Sequence, residues 1–173
     1  MSHKEQVDFC NYCKSIFPEY FKNVSVLDVG SQDINGNNKI FFENSEYIGL
    51  DIGKGPNVDV VCYIHEYNPN KLFDVIISTE MLEHDKNKQQ SLNKMVSLLK
   101  PNGLLVFTAG GHNRAEHGTS RTSPDASPYT NDYYGNIYIK DLSNYIDLEK
   151  TFKRVIIDYT TPANDLRFIG IKR

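Results

Sequence analysis

Cysteine is scarce in this chain: three among 173 residues, an odd number that leaves no disulfide framework. Long apolar runs are missing as well. No stretch approaches the ~20 residues that span a bilayer, and Met1 to Gln6 carry none of the apolar character of a secretion signal. Nor is one sign of charge in large excess: 19 Lys and Arg stand against 22 Asp and Glu, a net charge of -3. That balance supplies no basic footprint for tracking a nucleic-acid backbone. These absences predict a cytoplasmic, reduced protein without membrane attachment, and they argue against nucleic acid as a partner. What remains, 39% hydrophobic and 24% charged residues, is ordinary globular composition. The length predicts a single domain over residues 1–173 with a core that needs no staples.

Short β-branched runs at residues 24–30, 47–52, 58–64, 72–78 and 103–108 read as five strands. Several are almost continuously apolar, as strands covered on both faces of a parallel sheet are. Leu92, Met95, Val96 and Leu99 recur at i, i+3, i+4 and i+7, which predicts a helix stopped by Pro101 and Gly103. An N-terminal helix is predicted within residues 1–22, with Val7, Cys10, Phe17 and Phe21 inward and Pro18 breaking it. Another is predicted over 139–148. Two final strands, 152–159 and 166–171, are joined by a link short enough to permit only an antiparallel pair. The sum is an α/β fold: a doubly wound, mostly parallel seven-stranded sheet with an antiparallel last strand and trimmed helices.

At the end of the first strand the chain runs Val26-Leu27-Asp28-Val29-Gly30-Ser31-Gln32. Glycine there lets a ligand approach the backbone, since no Cβ intervenes. Asp51 closes the second strand 21 residues later, a spacing that suits a carboxylate accepting hydrogen bonds from ribose hydroxyls. Of the three glycines in a dinucleotide fingerprint only Gly30 is present; Gln32 and Asn35 occupy the other places, and no phosphate-binding G-x-x-x-x-G-K-[ST] occurs. A nucleoside without phosphates fits this turn better than a dinucleotide.

Residues 26–36, 48–51, 73–84 and 99–108 together resemble the successive motifs of class I S-adenosylmethionine-dependent methyltransferases, in particular the small "type 11" branch, over roughly residues 20–173. The resemblance implies a Rossmann-like fold with S-adenosylmethionine as cofactor. It implies that Asp28, Gly30 and Ser31 line the methionine part, that Asp51 holds the ribose, that Tyr63, Ile64 and His65 lie by the adenine, and that Ser78 lies near the methionine end. Two positions depart from the pattern: Gln32 replaces the usual second glycine, and Tyr63 stands where an acidic residue often bonds the adenine amino group.

Beyond the fourth strand comes Glu80-Met81-Leu82-Glu83-His84. On a helix beginning near Glu80, Glu80, Glu83 and His84 share one face. Two carboxylates and an imidazole there can hold a divalent cation such as Mg²⁺ or Mn²⁺, and acidic residues also simply suit a helix N-terminus. The Glu-x-x-Glu-His pattern resembles the metal site of small-RNA 3′-end 2′-O-methyltransferases and of ubiquinone-pathway O-methyltransferases. In the RNA enzymes a further histidine completes the site, a part that falls here to His112 or His117.

Residues 110–136 form a long Gly/Ser/Thr/Pro/Tyr-rich segment after the fifth strand, where ligands bind in open α/β sheets, and this predicts a substrate or lid loop. A hydroxyl acceptor needs a base or a metal, and His84, His112 and His117 are the candidate bases. Arg114 and Arg121 read either as ligands for an anionic or sugar-like acceptor or as solvent-facing charges, and Tyr129, Tyr133, Tyr134 and Tyr138 as stacking platforms or as loop anchors. Cys10 and Cys13 form an isolated CxxC without the four ligands that zinc requires. The reading is methyl transfer to an acceptor oxygen, with a small-molecule or glycan hydroxyl as acceptor. The alternatives are an RNA 2′-O-methyltransferase, a non-catalytic cofactor-binding or activating subunit and, more remotely, an NAD-dependent oxidoreductase.

Overall fold

The computed structural model describes residues 4–173, so the first three residues of the predicted N-terminal helix lie outside the described part. α1 (Lys4–Ile16) stops two residues before Pro18, which opens a 3-10 turn instead. The strands follow as β1 (Ser25–Val29), β2 (Glu46–Asp51), β3 (Val60–Val61) and β4 (Phe73–Thr79). α2 (Lys88–Leu98) leads directly into β5 (Leu99–Gly110), and α3 (Ile139–Tyr145), α4 (Leu148–Thr151), β6 (Phe152–Tyr159) and β7 (Asp165–Lys172) complete the chain. The sheet order is β3-β2-β1-β4-β5-β7-β6. Every pairing up to β5 is parallel, and β7 runs antiparallel to both β5 and β6.

Alternation along the central strands builds two cores. Val26, Val75, Ile77, Leu104 and Val106 face α1, against Phe9, Cys10, Cys13 and Phe17. Leu27, Ile76, Leu105 and Phe107 face the opposite side, against Leu92, Met95 and Leu142 of α2 and α3. Cys10 and Cys13 are therefore core thiols, fully buried and free, and burial pushes the Cys10 thiol up to about 12.

Three expected elements come out differently. β3 shrinks from the expected 58–64 to two residues, because it is an edge strand that pairs only with Leu50 and Asp51. Cys62 falls just past it and is half-buried rather than sealed in a strand. β5 starts at Leu99 instead of Gly103: the bulge around Pro101 and Asn102 (φ 64°) is absorbed by a register shift against β4. The single helix expected over 139–148 is two short ones. The crossovers after β2 and β3 are a loop and a single 3-10 turn, as the trimmed version predicts, and the one before β2 also holds only a 3-10 turn.

Sheet order reverses between β1 and β4, and at such a switch point the loops leaving the strand ends part to form a crevice. The candidate site lies there.

Candidate active site

A cavity of about 380 Å³ opens at the carboxyl ends of β1, β2 and β4, within the range of small-molecule and cofactor sites. Gly30, Asp51, Tyr63, Ile64 and His84 all line it. Gly30 has φ +81°, and a Cβ there would lie 2.7 Å from the Met81 side chain, so both conformation and space require glycine. Its N–H and that of Ser31 are both donated to the Leu50 carbonyl, tying the turn to β2. Asp51 accepts the backbone N–H of Gln32 at 3.1 Å on one oxygen and that of Gly53 at 3.0 Å on the other. One lone pair per oxygen is left for further donors. Gln32 needs no positive φ, so the turn holds without a second glycine, and its side chain packs against Gly55.

Three residues expected beside the methionine part do not reach the cavity. Asp28 is sealed beneath the turn, accepting from Tyr47 Oη and, at 3.1 Å, from Asn38 Nδ2. Burial raises its carboxyl to about 6, partly offset by those two hydrogen bonds. Ser31 is turned away, its hydroxyl donated to the Asn57 carbonyl at 3.0 Å. Ser78 is wholly buried inside β4. These side chains brace the wall rather than form it.

The segment after β4 also departs from expectation. Glu80 has φ +53° and still donates its N–H to Thr108 at 3.0 Å, prolonging the β4–β5 ladder, so no helix begins there. A 3-10 turn, Leu82–His84, carries Glu83 and His84, and α2 starts only at Lys88. Glu80, Glu83 and His84 thus share no helix face. The structure instead brings Glu83 and His84 to His117 from the long loop, with one donor atom of each within 4.8 Å of the others.

Within this cluster His117 Nδ1 lies 3.1 Å from the Ala115 carbonyl, and its buried Nε2 lies 3.9 Å from Glu83 Oε1. A carbonyl only accepts, so Nδ1 is the donor in that contact and Nε2 is the ring nitrogen turned toward Glu83. Desolvation, and secondarily His117, lower His84 to about 4, which keeps its ring neutral. Burial and then the charge of Glu80 hold Glu83 well above the usual carboxylate range, against the backbone N–H groups of Glu83 and Gly110. His112 lies apart on the surface, its ring centroid 5.9 Å from that of Tyr138 and 6.4 Å from that of Tyr159.

The loop supplies what the sequence left open. Arg114 donates to the Ala163 carbonyl at 2.8 Å and lies 3.6 Å from Asp165 and 4.0 Å from Glu80, so it pins the loop between two buried carboxylates. Arg121 pairs with Glu116 on the surface. Tyr134 stacks edge-on against both His84 and His117. Residues 126–132 run along the cavity and give it Ser127, Tyr129 and Thr130. Met81 was the lining residue hardest to foresee, since only the clash with Gly30 marks it.

The methyltransferase-domain family model matches residues 1–133, more than half of the chain. The chain belongs to the methyltransferase-domain family. As a methyltransferase domain it shares its fold with the Burkholderia thailandensis 1,6-didemethyltoxoflavin-N1-methyltransferase, solved with bound S-adenosylhomocysteine (TM-score 0.65, 14% identity, 94% of this chain and 77% of the other). A second neighbour is the N-methyltransferase NodS of Bradyrhizobium japonicum WM9 in complex with S-adenosylhomocysteine (TM-score 0.64, 12% identity, 96% and 87%). The family match and these neighbours are those of class I S-adenosylmethionine-dependent methyltransferases, with the Rossmann-like sheet described above. A shorter likeness links the chain to the ubiquinone biosynthesis O-methyltransferase of Rickettsia canadensis, 42% identical over 45 residues. That match covers 26% of this chain and only 19% of the relative's length.

The methyltransferase cavity fits a nucleoside cofactor on its own terms. Asp51 lines the cavity with acceptor capacity left on both carboxylate oxygens, and the wall at Gly30 carries no side chain. At the Tyr63–Ile64 end, His65 Nδ1 is buried without a hydrogen-bond partner, leaving a polar atom available to a base. Among the described residues, no helix is long and apolar enough to cross a membrane.

Proposed function

We propose that this methyltransferase transfers the methyl group of S-adenosylmethionine to a hydroxyl oxygen of a small molecule or sugar. The observation that carries the reading is the convergence of Glu83, His84 and His117 beside the cavity that His84 and Glu80 line. A hydroxyl is a poor nucleophile until its proton is removed or its pKa lowered, and this cluster provides groups for either. The partial likeness to O-methyltransferases supports an oxygen acceptor, whereas the N-methyltransferase neighbours share the fold alone.

In this reading Asp51 takes the ribose hydroxyls and the Gly30 turn admits the methionine part. Glu83 and the ring nitrogens of His84 and His117 would hold a divalent ion. One carboxylate with two imidazoles suits Mn²⁺ better than Mg²⁺, which favours an oxygen set. Bound, S-adenosylmethionine supplies an electrophilic methyl and the ion lowers the pKa of the acceptor hydroxyl. The chain's own contribution is positional. The Ala115 carbonyl orients the His117 ring with Nε2 facing Glu83, burial keeps His84 neutral and able to donate a lone pair, and residues 126–132 shield the cavity from water.

Transfer of labelled methyl to a panel of hydroxyl and amine compounds, with Mn²⁺ or with a chelator, tests this. The expected outcome is ion-dependent transfer to hydroxyls, reduced about 100-fold or more in Glu83→Gln. Transfer to amines alone, unaffected by chelator and by Glu83→Gln, contradicts it.

A further inference from the structure

Residues 126–132 run along the cavity and are fastened on both sides. At one edge Asp132 forms an ion pair with Lys86, which itself lines the cavity. At the other the Tyr129 ring lies directly against Gly53, where a Cβ would meet ring carbons at 1.9 and 2.1 Å. Gly53 has no positive φ to account for it, so the close seating of this ring is what calls for glycine there. The Tyr129 hydroxyl is 3.5 Å from the Lys54 carbonyl, too long to hold the side chain by itself. The same Gly53 donates its N–H to Asp51, so the ring is placed in register with the carboxylate at the rim. Tyr129 is still 55% exposed: part of the ring meets Gly53 and the cavity, while much of it is open to water.

A large exposed aromatic that lines a cavity and is seated on a bare glycine has the geometry of a cover. We propose that Tyr129 is the residue that closes the ribose side of the cavity over the bound nucleoside, and that its contact with Gly53 sets how fast the spent cofactor leaves. The inference rests on the S-adenosylmethionine reading of the cavity and adds a binding residue to it. The ring shields the ribose edge, and release requires it to lift off Gly53, so the contact acts on the dissociation rate more than on association.

The test is the dissociation rate of tritiated S-adenosylhomocysteine from the full chain, chased with excess unlabelled compound. Tyr129→Ala is expected to release it about fivefold faster or more. Gly53→Ala is expected to do the same, since the new methyl group takes the place of the ring without backbone strain. Tyr129→Phe should release at the wild-type rate, and the Gly53→Ala/Tyr129→Ala pair no faster than Tyr129→Ala alone. Wild-type rates in both single variants, with melting temperatures showing that both are folded, overturn the role of Tyr129 and leave the cofactor site standing. Failure of the wild type to bind S-adenosylhomocysteine overturns both.

Discussion

A carboxyl group sealed beneath the Gly30 turn, 1% exposed, makes stability depend on pH. Asp28 is raised to about 6 by burial. The fold therefore favours its protonated form: its contribution is full below the unfolded value near 3.8 and is lost as pH rises through 6. Glu83, also raised by burial, has the same sign. His84 has the opposite one. Lowered to about 4 by burial, it contributes fully above 6.5 and loses that contribution as pH falls toward 4. The expected outcome for Asp28→Asn is a stability that improves relative to wild type as pH rises from 4 to 7, by about 2 kcal/mol. Urea unfolding of both proteins across that range checks it, and a pH-independent difference contradicts it. The residue scale is also where the sequence was most and least legible. Asp51 and Gly30 are fixed by strand ends, which local patterning reveals. His117 could be told from His112 only by the path of a 27-residue loop, and that path depends on Arg114 meeting Asp165 and on Tyr134 packing against the histidines.

Among the elements, the strands and the final hairpin could be read because their apolar alternation is set by two covered faces. The segment after β4 could not. Its spacing fits a helix, but Glu80 keeps a sheet hydrogen bond and turns through a positive φ, so a tertiary contact overrides local preference. β3 was overestimated for a related reason: its apolar run is long enough for a strand, but the edge position gives it only two partners. The β1-to-loop turn yields the prediction at this scale. Gly30→Ala combines a positive φ with a contact at 2.7 Å, and is expected to cost about 2 kcal/mol or more in urea unfolding and to weaken S-adenosylhomocysteine binding. Wild-type stability in that variant would show that the turn relaxes freely.

For the whole molecule, the crossovers around β2 and β3 are short, and residues 110–136 are the long segment among the described residues that lines the cavity. One loop supplies His117 to the cluster and Tyr129 to the cavity edge. Fold likeness to the two N-methyltransferases does not choose the acceptor. Everything proposed for the site depends on the cavity at the β1–β4 switch point being a nucleoside-cofactor pocket with Asp51 as its ribose ligand. Calorimetric titration of wild type and Asp51→Ala with S-adenosylhomocysteine tests this most directly. Saturable 1:1 binding by the wild type is expected, weakened at least about tenfold in Asp51→Ala by the loss of a charged hydrogen-bond acceptor. Equal binding by the two proteins, or none by the wild type, would contradict it.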